Sequence, residues 1–377
     1  MDEHTFALDE IDLYVTMRCN LSCGFCSVCA GSKIPDLPLA RIQAVIDEAA
    51  DMGLKELHLT GGEPALRTDL EMIIAHATAR GVQTRVITNG TLMTRERLMA
   101  LKHAGLGSVM FSLDGLEKTH ERMRGAAGCF GKTLQAVQDS IALGLKTRIN
   151  AAVFRTNRND ILPLMRLAAT HNVDVFSFFL GSPLGRGRQM IDQIMSPPEW
   201  RTFLNEIQNA GKNGEFGSTM AIAGEQGFIW TDTPDFKKNT MRGRGCGCTT
   251  LLDDWEYLII RSDGELFQCV FFMQDGPSIG SIAHTGLKDA LTLARTRRLY
   301  ERFTRAADGC SHCRWLTDCQ GGCRGYAFLY TGDWHQRAPQ CADAPAERSF
   351  FPICPIAKLN IHTGKIDGSS EHVLAGY

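Results

Sequence analysis

Residues 11–26 of the chain, IDLYVTMRCNLSCGFC, join a predicted β-strand to a loop that carries three cysteines. Cys19, Cys23 and Cys26 are separated by three and two residues. An iron–sulfur cubane that only carries electrons takes four cysteine thiolates from the protein. A loop that supplies three leaves one iron with an open coordination site, which suggests chemistry rather than storage of an electron. Cys29 lies three residues further on and is a second way to complete the four, so the spacing alone leaves both interpretations open.

The strand before these cysteines is the first of six predicted strands that alternate with amphipathic helices. Between the first two, Ile42, Val45 and Ile46 recur at helical spacing, and Gly53 follows as a stop signal. Repeated units of this kind predict parallel strands with right-handed crossovers, and a ligand site at the carboxyl ends of the strands. Six units are too few for a closed barrel of eight strands, so an open sheet or a partial barrel is expected. The predicted strands are 11–18, 55–60, 83–88, 108–113, 147–153 and 174–180.

Composition excludes several classes of function. The chain has 377 residues, a formal charge of −2 and a pI near 6.6, so it offers no basic field for a nucleic acid or an anionic membrane. The acidic N-terminus lacks the features of a signal peptide, and no apolar run reaches the length of a bilayer. A cytoplasmic protein is therefore expected. In that reducing compartment, 14 cysteines favour metal ligation over disulfides.

A glycine-rich turn, Gly61-Gly62-Glu63-Pro64, follows the second predicted strand. Its glycines permit close approach of the backbone to a ligand where a Cβ would obstruct it. Backbone polar groups and Glu63 could then bind the ammonium group of that ligand. A plain tight turn explains the glycine pair equally well, but the placement beside the cysteines favours a binding site.

The cysteine spacing, with Phe25 just before the last cysteine, and the Gly-Gly-Glu-Pro turn together resemble the radical S-adenosylmethionine (SAM) superfamily. The resemblance covers residues 11 to about 190 and implies an α/β fold, a partial (β/α)6 TIM-like barrel. It implies that Cys19, Cys23 and Cys26 are the catalytic residues that hold a 4Fe-4S cluster, whose fourth iron is chelated by SAM. One electron would cleave SAM to a 5′-deoxyadenosyl radical, which takes a hydrogen atom from the substrate.

The same resemblance implies further contacts to SAM. Phe25 would lie against the adenine, and the turn 61–64 would bind the methionine amino group. Ser112 and Arg124 match, in type and in their twelve-residue separation, a pair that contacts the ribose and the carboxylate. A guanidinium pairs well with a carboxylate. The alternative for Arg124 is a solvated surface arginine, and Asn150 is a weaker candidate for the same site.

The C-terminal cysteines resemble the SPASM extension of this superfamily. Seven form the ordered pattern, and Cys246 makes eight, the number of thiolates that fully ligates two cubanes. A zinc ribbon is the structural alternative, although it does not explain the long interleaved pattern. By resemblance, the first auxiliary cluster would be held by Cys246, Cys248, Cys269 and Cys323, and the second by Cys310, Cys313, Cys319 and Cys341. Cys29, Cys129 and Cys354 are interpreted as packed or spare thiols.

Three regions follow from these patterns. We expect the radical SAM core at 1–215, a connecting segment at 216–240 with a strand within 220–230, and the SPASM domain with its tail at 241–377. Three 4Fe-4S clusters and SAM are the expected cofactors. An electron donor such as flavodoxin or ferredoxin is the expected partner.

Auxiliary clusters suggest net oxidation of the substrate, because they can accept the electron that a substrate radical gives up. In sulfatase-maturing relatives an Asp stands where this chain has Val270, which counts against that activity. Oxidative modification of a ribosomal peptide or protein is favoured. Because the triad starts at residue 19, a separate recognition protein or a direct groove is expected to bind the peptide.

The sequence leaves one other substrate class and one other class of function open. The same chemistry on a small natural product, such as a sugar, nucleoside, aminocyclitol or tetrapyrrole, is the alternative. The basic turn 181–188 after the sixth strand could receive an anionic group of a substrate, or it could be a solvated loop. A multi-cluster electron carrier without catalysis is a remote alternative, because it gives the Gly-Gly-Glu-Pro turn no role.

Overall fold

The computed structural model describes residues 8–217, 220–225, 257–276, 278–296, 308–312, 324–333 and 335–337. The strands in these residues are β1 (Glu10–Thr16), β2 (Glu56–Gly61), β3 (Gln83–Thr88), β4 (Ser108–Ser112), β5 (Lys146–Val153), β6 (Val175–Leu180), β7 (Ala221–Glu225), β8 (Tyr257–Ile260), β9 (Glu265–Phe267) and β10 (Gly280–Ser281). The α-helices are α1 (Leu39–Asp51), α2 (Leu70–Ala79), α3 (Arg95–His103), α4 (Glu117–Arg124), α5 (Cys129–Ala142), α6 (Arg158–Thr170), α7 (Pro197–Lys212), α8 (Val270–Asp275), α9 (Leu287–Thr296) and α10 (Arg324–Thr331). Short 3₁₀ helices occupy Pro64–Leu66 and Gly185–Gln193.

The strands form one sheet, in the order β10-β9-β8-β1-β2-β3-β4-β5-β6-β7. Strands β1 to β6 are parallel and lie in chain order, which confirms the predicted six-unit partial barrel. No end of the six predicted strands differs from the observed one by more than two residues. The strand expected within 220–230 is β7, which pairs in parallel with β6.

Periodic apolar residues explain why these units form. Ile42, Val45, Ile46 and Ala49 lie on one buried face of α1, as their spacing predicts. Gly53 then adopts a φ of +92°, a left-handed conformation that glycine accepts without strain, and the chain turns into β2. Repetition of this pattern places every strand-to-helix loop at the carboxyl edge of the sheet.

Three strands from the C-terminal half of the chain extend the sheet beyond β1, an arrangement that the sequence did not predict. Strand β8 pairs in parallel with β1, so that Ile11 lies opposite Leu258, and β9 and β10 extend the sheet beyond it in antiparallel register. Residues 257–296 therefore belong to the same compact unit as residues 8–225, whereas a contiguous domain from 241 onward was expected. The contacts of β8 with β1 are the physical reason for the difference.

The second compact unit includes the described residues between 308 and 337. Its helix α10 begins with Arg324, which is buried and donates from Nη1 to the backbone oxygen of Gln336 at 3.5 Å. The backbone N–H of Asp308 donates to the oxygen of His335 at 2.7 Å. Across the described part of the chain, the helices are too short or too polar to span a bilayer.

Charged side chains close the amino-terminal ends of the strands. His58 is 4% exposed, with Nδ1 2.8 Å from Asp12 Oδ1 and Nε2 3.1 Å from Glu56 Oε2. Arg85 donates to Glu56 at 2.8 Å, and the Tyr257 hydroxyl donates to Asp12 at 2.6 Å. These groups thus pair with one another at the end of the sheet opposite to the cysteine loop.

Candidate active site

The three predicted cluster ligands share the loop between β1 and α1, at the carboxyl edge of the sheet. Cys23 is buried, with 7% of its surface exposed, and Cys19 and Cys26 are partly exposed. The loop is folded on itself, because Cys26 donates its backbone N–H to the oxygen of Cys23 at 3.3 Å.

Each of the three sulfur atoms accepts a hydrogen bond. The donors are Leu21 N–H to Cys19 Sγ at 3.4 Å, Ala30 N–H to Cys26 Sγ at 3.3 Å, and Arg124 Nη1 to Cys23 Sγ at 3.9 Å. Donors of this kind hold metal-binding thiolates in place and tune the metal. The residues present thus fit an iron–sulfur cluster, and Cys19, Cys23 and Cys26 would be its ligands.

Burial changes the acidity of two of these thiols. It raises the pKa of Cys19 and of Cys23 above the ordinary value for a thiol, and Arg124 opposes the shift at Cys23. The thiols are therefore protonated at neutral pH in the absence of metal. A bound metal ion displaces such protons, so loading of the site releases them.

The glycines of the Gly-Gly-Glu-Pro turn serve the protein's own backbone. A Cβ on Gly61 would lie 2.1 Å from the oxygen of Thr16, and one on Gly62 would lie 2.1 Å from the oxygen of Arg18. Gly62 N–H donates to Thr16, and Glu63 N–H donates to Arg18, both at 2.8 Å. The glycines thus allow the turn to pack against the start of the cysteine loop, and the approach of their backbone to a ligand stays a prediction.

Glu63 also has a different position from the one expected. Its side chain is fully buried and accepts hydrogen bonds from Ala65 N–H, Thr88 Oγ1 and Asn89 N–H at 3.0, 2.7 and 2.8 Å. Burial raises the pKa of this carboxyl group above its ordinary value, although the three donors oppose the shift. The carboxyl group ties the turn to the end of β3, and the binding of an ammonium group by this turn stays a prediction.

A third contact joins the same loops. Asn20, between the first two cysteines, donates to Thr91 Oγ1 at 2.8 Å and accepts from Asn89 Nδ2 at 3.0 Å. The turn 88–91 after β3 therefore supports the cysteine loop directly. This contact was not foreseen, since the sequence places these residues 69 and 71 positions apart.

Arg124 is buried, with 9% of its surface exposed, so the interpretation as a solvated surface arginine is wrong. Its Nε and Nη2 both contact Asp114 Oδ2, at 2.7 and 2.6 Å, and its guanidinium carbon lies 5.1 Å from the centre of the Phe25 ring. Burial lowers the pKa of Arg124, but Asp114 and Cys23 more than offset this, so its pKa lies above the ordinary value. A fixed positive charge therefore lies beside the cysteine sulfur.

Asp114 is the residue that sequence analysis missed. It is 1% exposed, and its second oxygen accepts the N–H of Ala152 at 3.0 Å. Its own N–H donates to His120 Nδ1 at 3.2 Å, and burial lowers the pKa of His120 to about 4, which keeps the ring neutral. Asn157 donates to the backbone oxygen of Asp114 at 2.6 Å. The sequence signal that could have identified Asp114 is its position two residues after Ser112, in the loop predicted to follow the fourth strand.

The other predicted SAM contacts lie on the same edge of the sheet. Phe25 is half-buried and meets Phe154 edge-on, with ring centres 5.8 Å apart. Ser112 lies opposite Asn150 in the register of β4 and β5, and Asn150 accepts a hydrogen bond from Ser177 at 3.0 Å. The structure brings these side chains onto adjacent strands, and their contact with SAM stays a prediction.

In the basic turn after β6, which could receive an anionic group, Arg186 contacts the cysteine loop. Arg186 donates from Nε to the oxygen of Cys23 at 2.9 Å and from Nη1 to the oxygen of Ala30 at 2.7 Å. Its guanidinium binds the cysteine loop instead of presenting itself to a substrate. The expectation of a solvated loop is also incorrect, since Gly185 and Gly187 are buried.

Two of the predicted auxiliary ligands fall within the described residues. Cys269 precedes α8 and is partly exposed, and Cys310 is buried in the second compact unit. The other predicted auxiliary ligands lie outside the described residues: Cys246, Cys248, Cys313, Cys319, Cys323 and Cys341. Cys354, interpreted as a spare thiol, also lies outside them. Cys129 is buried at the start of α5, and Cys29 has a φ of +50° in the cysteine loop.

Family models match both parts of the chain. The model of the radical SAM superfamily matches residues 13–168, so this part of the chain is a radical SAM domain. A second model, SPASM, described as an iron–sulfur cluster-binding domain, matches residues 248–314, and the two domains together are those of the radical SAM SPASM subgroup. SAM and iron–sulfur clusters are accordingly its cofactors, and the protein is an enzyme.

Named relatives differ in their substrates. The AdoMet-dependent heme synthase of Nitratidesulfovibrio vulgaris is 26% identical over 343 residues, which cover 88% of this chain and 91% of that protein. The PqqA peptide cyclase of Rhodopseudomonas palustris is 27% identical over 356 residues, which cover 90% of this chain and 88% of that protein. These similarities leave the substrate class undecided.

Solved structures share the fold. Streptococcus suis SuiB bound to the precursor peptide SuiA superimposes with a TM-score of 0.73 at 19% identity, over 90% of this chain and 76% of that one. Native anSMEcpe with bound AdoMet gives a TM-score of 0.70 at 16% identity, over 88% and 94%. At these identities the likeness concerns the fold alone.

Proposed function

We propose that this protein oxidatively modifies a ribosomally made peptide or protein by abstracting a hydrogen atom from it. The observation that carries the proposal is the cysteine loop, in which three sulfurs each accept a hydrogen bond while the Gly-Gly-Glu-Pro turn packs against the loop. Three ligands rather than four leave room for SAM at the cluster. When bound, the cluster and SAM supply a 5′-deoxyadenosyl radical that takes the hydrogen atom.

The chain's own residues bind and orient these groups. Cys19, Cys23 and Cys26 hold the cluster, and the backbone of residues 61–64 receives the amino group of SAM. Arg124, kept in place by Asp114 beside Cys23, would bind the carboxylate of SAM. Phe25 covers the adenine, and Ser112 and Asn150 bind the polar groups of the cofactor from adjacent strands.

The C-terminal cysteines supply the second half of the reaction. We assign Cys246, Cys248, Cys269 and Cys323 to one auxiliary 4Fe-4S cluster and Cys310, Cys313, Cys319 and Cys341 to another, so that three clusters are present in total. Clusters held by these cysteines would supply an acceptor for the electron of the substrate radical, so that the substrate would lose two electrons in total. The external electron that starts the cycle comes from a flavodoxin or ferredoxin.

The peptide substrate is supported by relatives named PqqA peptide cyclase and by the peptide-bound SuiB structure with the same fold. A second candidate is a tetrapyrrole, because similar relatives are named AdoMet-dependent heme synthase and Fe-coproporphyrin III synthase. Both candidates use the same hydrogen abstraction. They differ in the molecule from which the hydrogen atom is taken.

Isotope transfer separates the two candidates. The reconstituted, reduced enzyme is incubated with SAM and either deuterated peptides encoded beside its gene or a deuterated iron coproporphyrin. Mass spectrometry then measures deuterium in 5′-deoxyadenosine. Transfer from a peptide supports the proposal, and transfer from the porphyrin alone replaces it by the second candidate. Formation of no 5′-deoxyadenosine at all would reject the radical mechanism for this chain.

A further inference from the structure

The segment that follows β6 packs directly on the cysteine loop. A Cβ on Gly185, whose φ is +53°, would lie 2.6 Å from the oxygen of Cys26 and 2.7 Å from the oxygen of Ser27. A Cβ on Gly187 would lie 3.2 Å from the oxygen of Phe25. Gly185 therefore permits an approach of the two backbones that a Cβ would obstruct, and Gly187 relieves a second, less severe contact.

Between these glycines, Arg186 makes three hydrogen bonds to the loop. Its backbone N–H donates to the oxygen of Cys26 at 2.9 Å, and its side chain donates to the oxygens of Cys23 and Ala30 at 2.9 and 2.7 Å. The bonded residues lie 156–163 positions before Arg186 in the chain. One side chain thus spans the loop from its second cysteine to the residue four places after its third.

The charge of Arg186 is not neutralised by these contacts. Among the described residues, the side-chain partners of Arg186 are carbonyl oxygens, which carry no net charge. Arg124, by contrast, is paired with Asp114. The potential of an iron–sulfur cluster depends on nearby charge, hydrogen bonds and solvent exposure. A guanidinium without a charged partner, bonded to the backbone of a ligand cysteine, would therefore stabilise the more negative, reduced state of a cluster bound there.

We propose that Arg186 is a positioning residue: it holds the three-cysteine loop in its cluster-binding shape, and its charge raises the reduction potential of the cluster bound there. The inference rests on the proposed function, since it requires the cluster. It gives the basic turn after β6 a role in electron uptake instead of substrate binding.

Two substitutions separate charge from shape. Arg186→Met removes the charge and all side-chain donors, and Arg186→Lys keeps the charge but cannot reach both carbonyl oxygens with a planar fork. The control is Arg158→Met, which removes the same charge from an arginine bound to Glu206 in a partly exposed pair. Midpoint potentials are measured by titration monitored by electron paramagnetic resonance, using the signal that changes when SAM is added.

We expect Arg186→Met to lower the equilibrium constant for reduction of this cluster about tenfold, which for one electron is about 59 mV. Arg186→Lys should keep the potential within about a third of that shift but bind less iron than the wild type. Arg158→Met should leave both quantities unchanged. A potential for Arg186→Met equal to that of the wild type would overturn the charge role, and full iron content in both Arg186 variants would overturn the positioning role.

A backbone variant covers the case in which Arg186→Met does not fold. Gly185→Ala keeps the arginine but forces the segment away from the oxygens of Cys26 and Ser27. Its control is Gly81→Ala, since Gly81 has a φ of +76° and no atom within 4 Å of an added Cβ. Loss of the SAM-responsive signal in Gly185→Ala, but not in Gly81→Ala, supports the inference, and equal signals contradict it.

Measurements on the wild type distinguish failure of the proposed function from failure of the inference about Arg186. If the wild type shows no SAM-responsive cluster and forms no 5′-deoxyadenosine, the proposed function fails. If the wild type shows both and the Arg186 and Gly185 variants match it, only the inference fails.

Discussion

The buried pair of Asp114 and Arg124 gives the sharpest stability prediction. Asp114→Asn leaves the Arg124 guanidinium, 9% exposed, without the carboxylate that contacts it at 2.6 and 2.7 Å. Removing one partner of a buried ion pair costs about 3–5 kcal/mol. Arg124→Met should cost a similar amount, because among the described residues it leaves the N–H of Ala152 as the remaining hydrogen-bond donor to the buried carboxylate of Asp114.

The double variant should cost far less than the sum of the two single variants. Once either partner is gone, removal of the other relieves an unpaired buried charge, so we expect a coupling energy of about 2–3 kcal/mol. The matched control is the cycle of Glu206→Gln and Arg158→Met, whose side chains are 45% and 27% exposed and joined at 2.7 Å. Exposed pairs of this kind couple by about 0.2–1 kcal/mol.

Urea unfolding of the cluster-free protein, followed by far-ultraviolet circular dichroism, measures all the variants. For the exposed pair, we expect the losses of unfolding free energy in the two single variants to add up, within the small coupling, to the loss in the double variant. For the buried pair, we expect the loss in the double variant to be much smaller than that sum. Additive costs for Asp114→Asn and Arg124→Met would refute this expectation, since they would mean that the two charges do not stabilise each other.

Three further predictions follow from individual residues. His120 has a folded pKa of about 4, below its ordinary value of 6.5, so the unfolded chain takes up the proton first as the pH falls. The unfolding free energy should therefore drop by up to about 3 kcal/mol between these pH values, and His120→Gln should flatten that slope; an unchanged slope would exclude this origin. Gly62→Ala would place a Cβ 2.1 Å from the oxygen of Arg18, so it should lower the urea concentration at the unfolding midpoint. Gly24→Ala adds a Cβ with no atom within 4 Å, so it should leave that midpoint unchanged. Equal midpoints for the two variants would argue against the close packing at Gly62. Cys29→Ala should retain the SAM-responsive cluster, and its loss in iron assays and electron paramagnetic resonance would make Cys29 a ligand.

The strands and the location of the site could be predicted from sequence because both depend on short-range patterns. Apolar periodicity and helix-ending glycines such as Gly53 identify each unit within a few residues of chain. Parallel units then place every loop that follows a strand at one edge of the sheet. This is why the cysteine loop and the Gly-Gly-Glu-Pro turn could be expected to lie together.

The particular contacts of the site could not be predicted, because they join residues far apart in the chain. Arg124 and Cys23 are 101 positions apart, and no local pattern shows that the guanidinium points inward to Asp114. In the sequence, nothing near Glu63 indicates a partner for its carboxyl group. In the structure, this group is buried and accepts hydrogen bonds from Ala65, from Thr88 at the end of β3 and from the next residue, Asn89. Strand β8 likewise pairs with β1 across more than 240 residues.

Formation of 5′-deoxyadenosine shows whether Cys19, Cys23 and Cys26 hold a cluster that cleaves SAM. The wild-type protein, reconstituted with iron and sulfide under anaerobic conditions and reduced with dithionite, is incubated with SAM, and the product is quantified by mass spectrometry. We expect the wild type to form 5′-deoxyadenosine and a variant with Cys19, Cys23 and Cys26 all changed to Ala to form none. Equal product from both proteins, or no product from a fully iron-loaded wild type, would contradict the assignment of these three cysteines to a SAM-cleaving cluster.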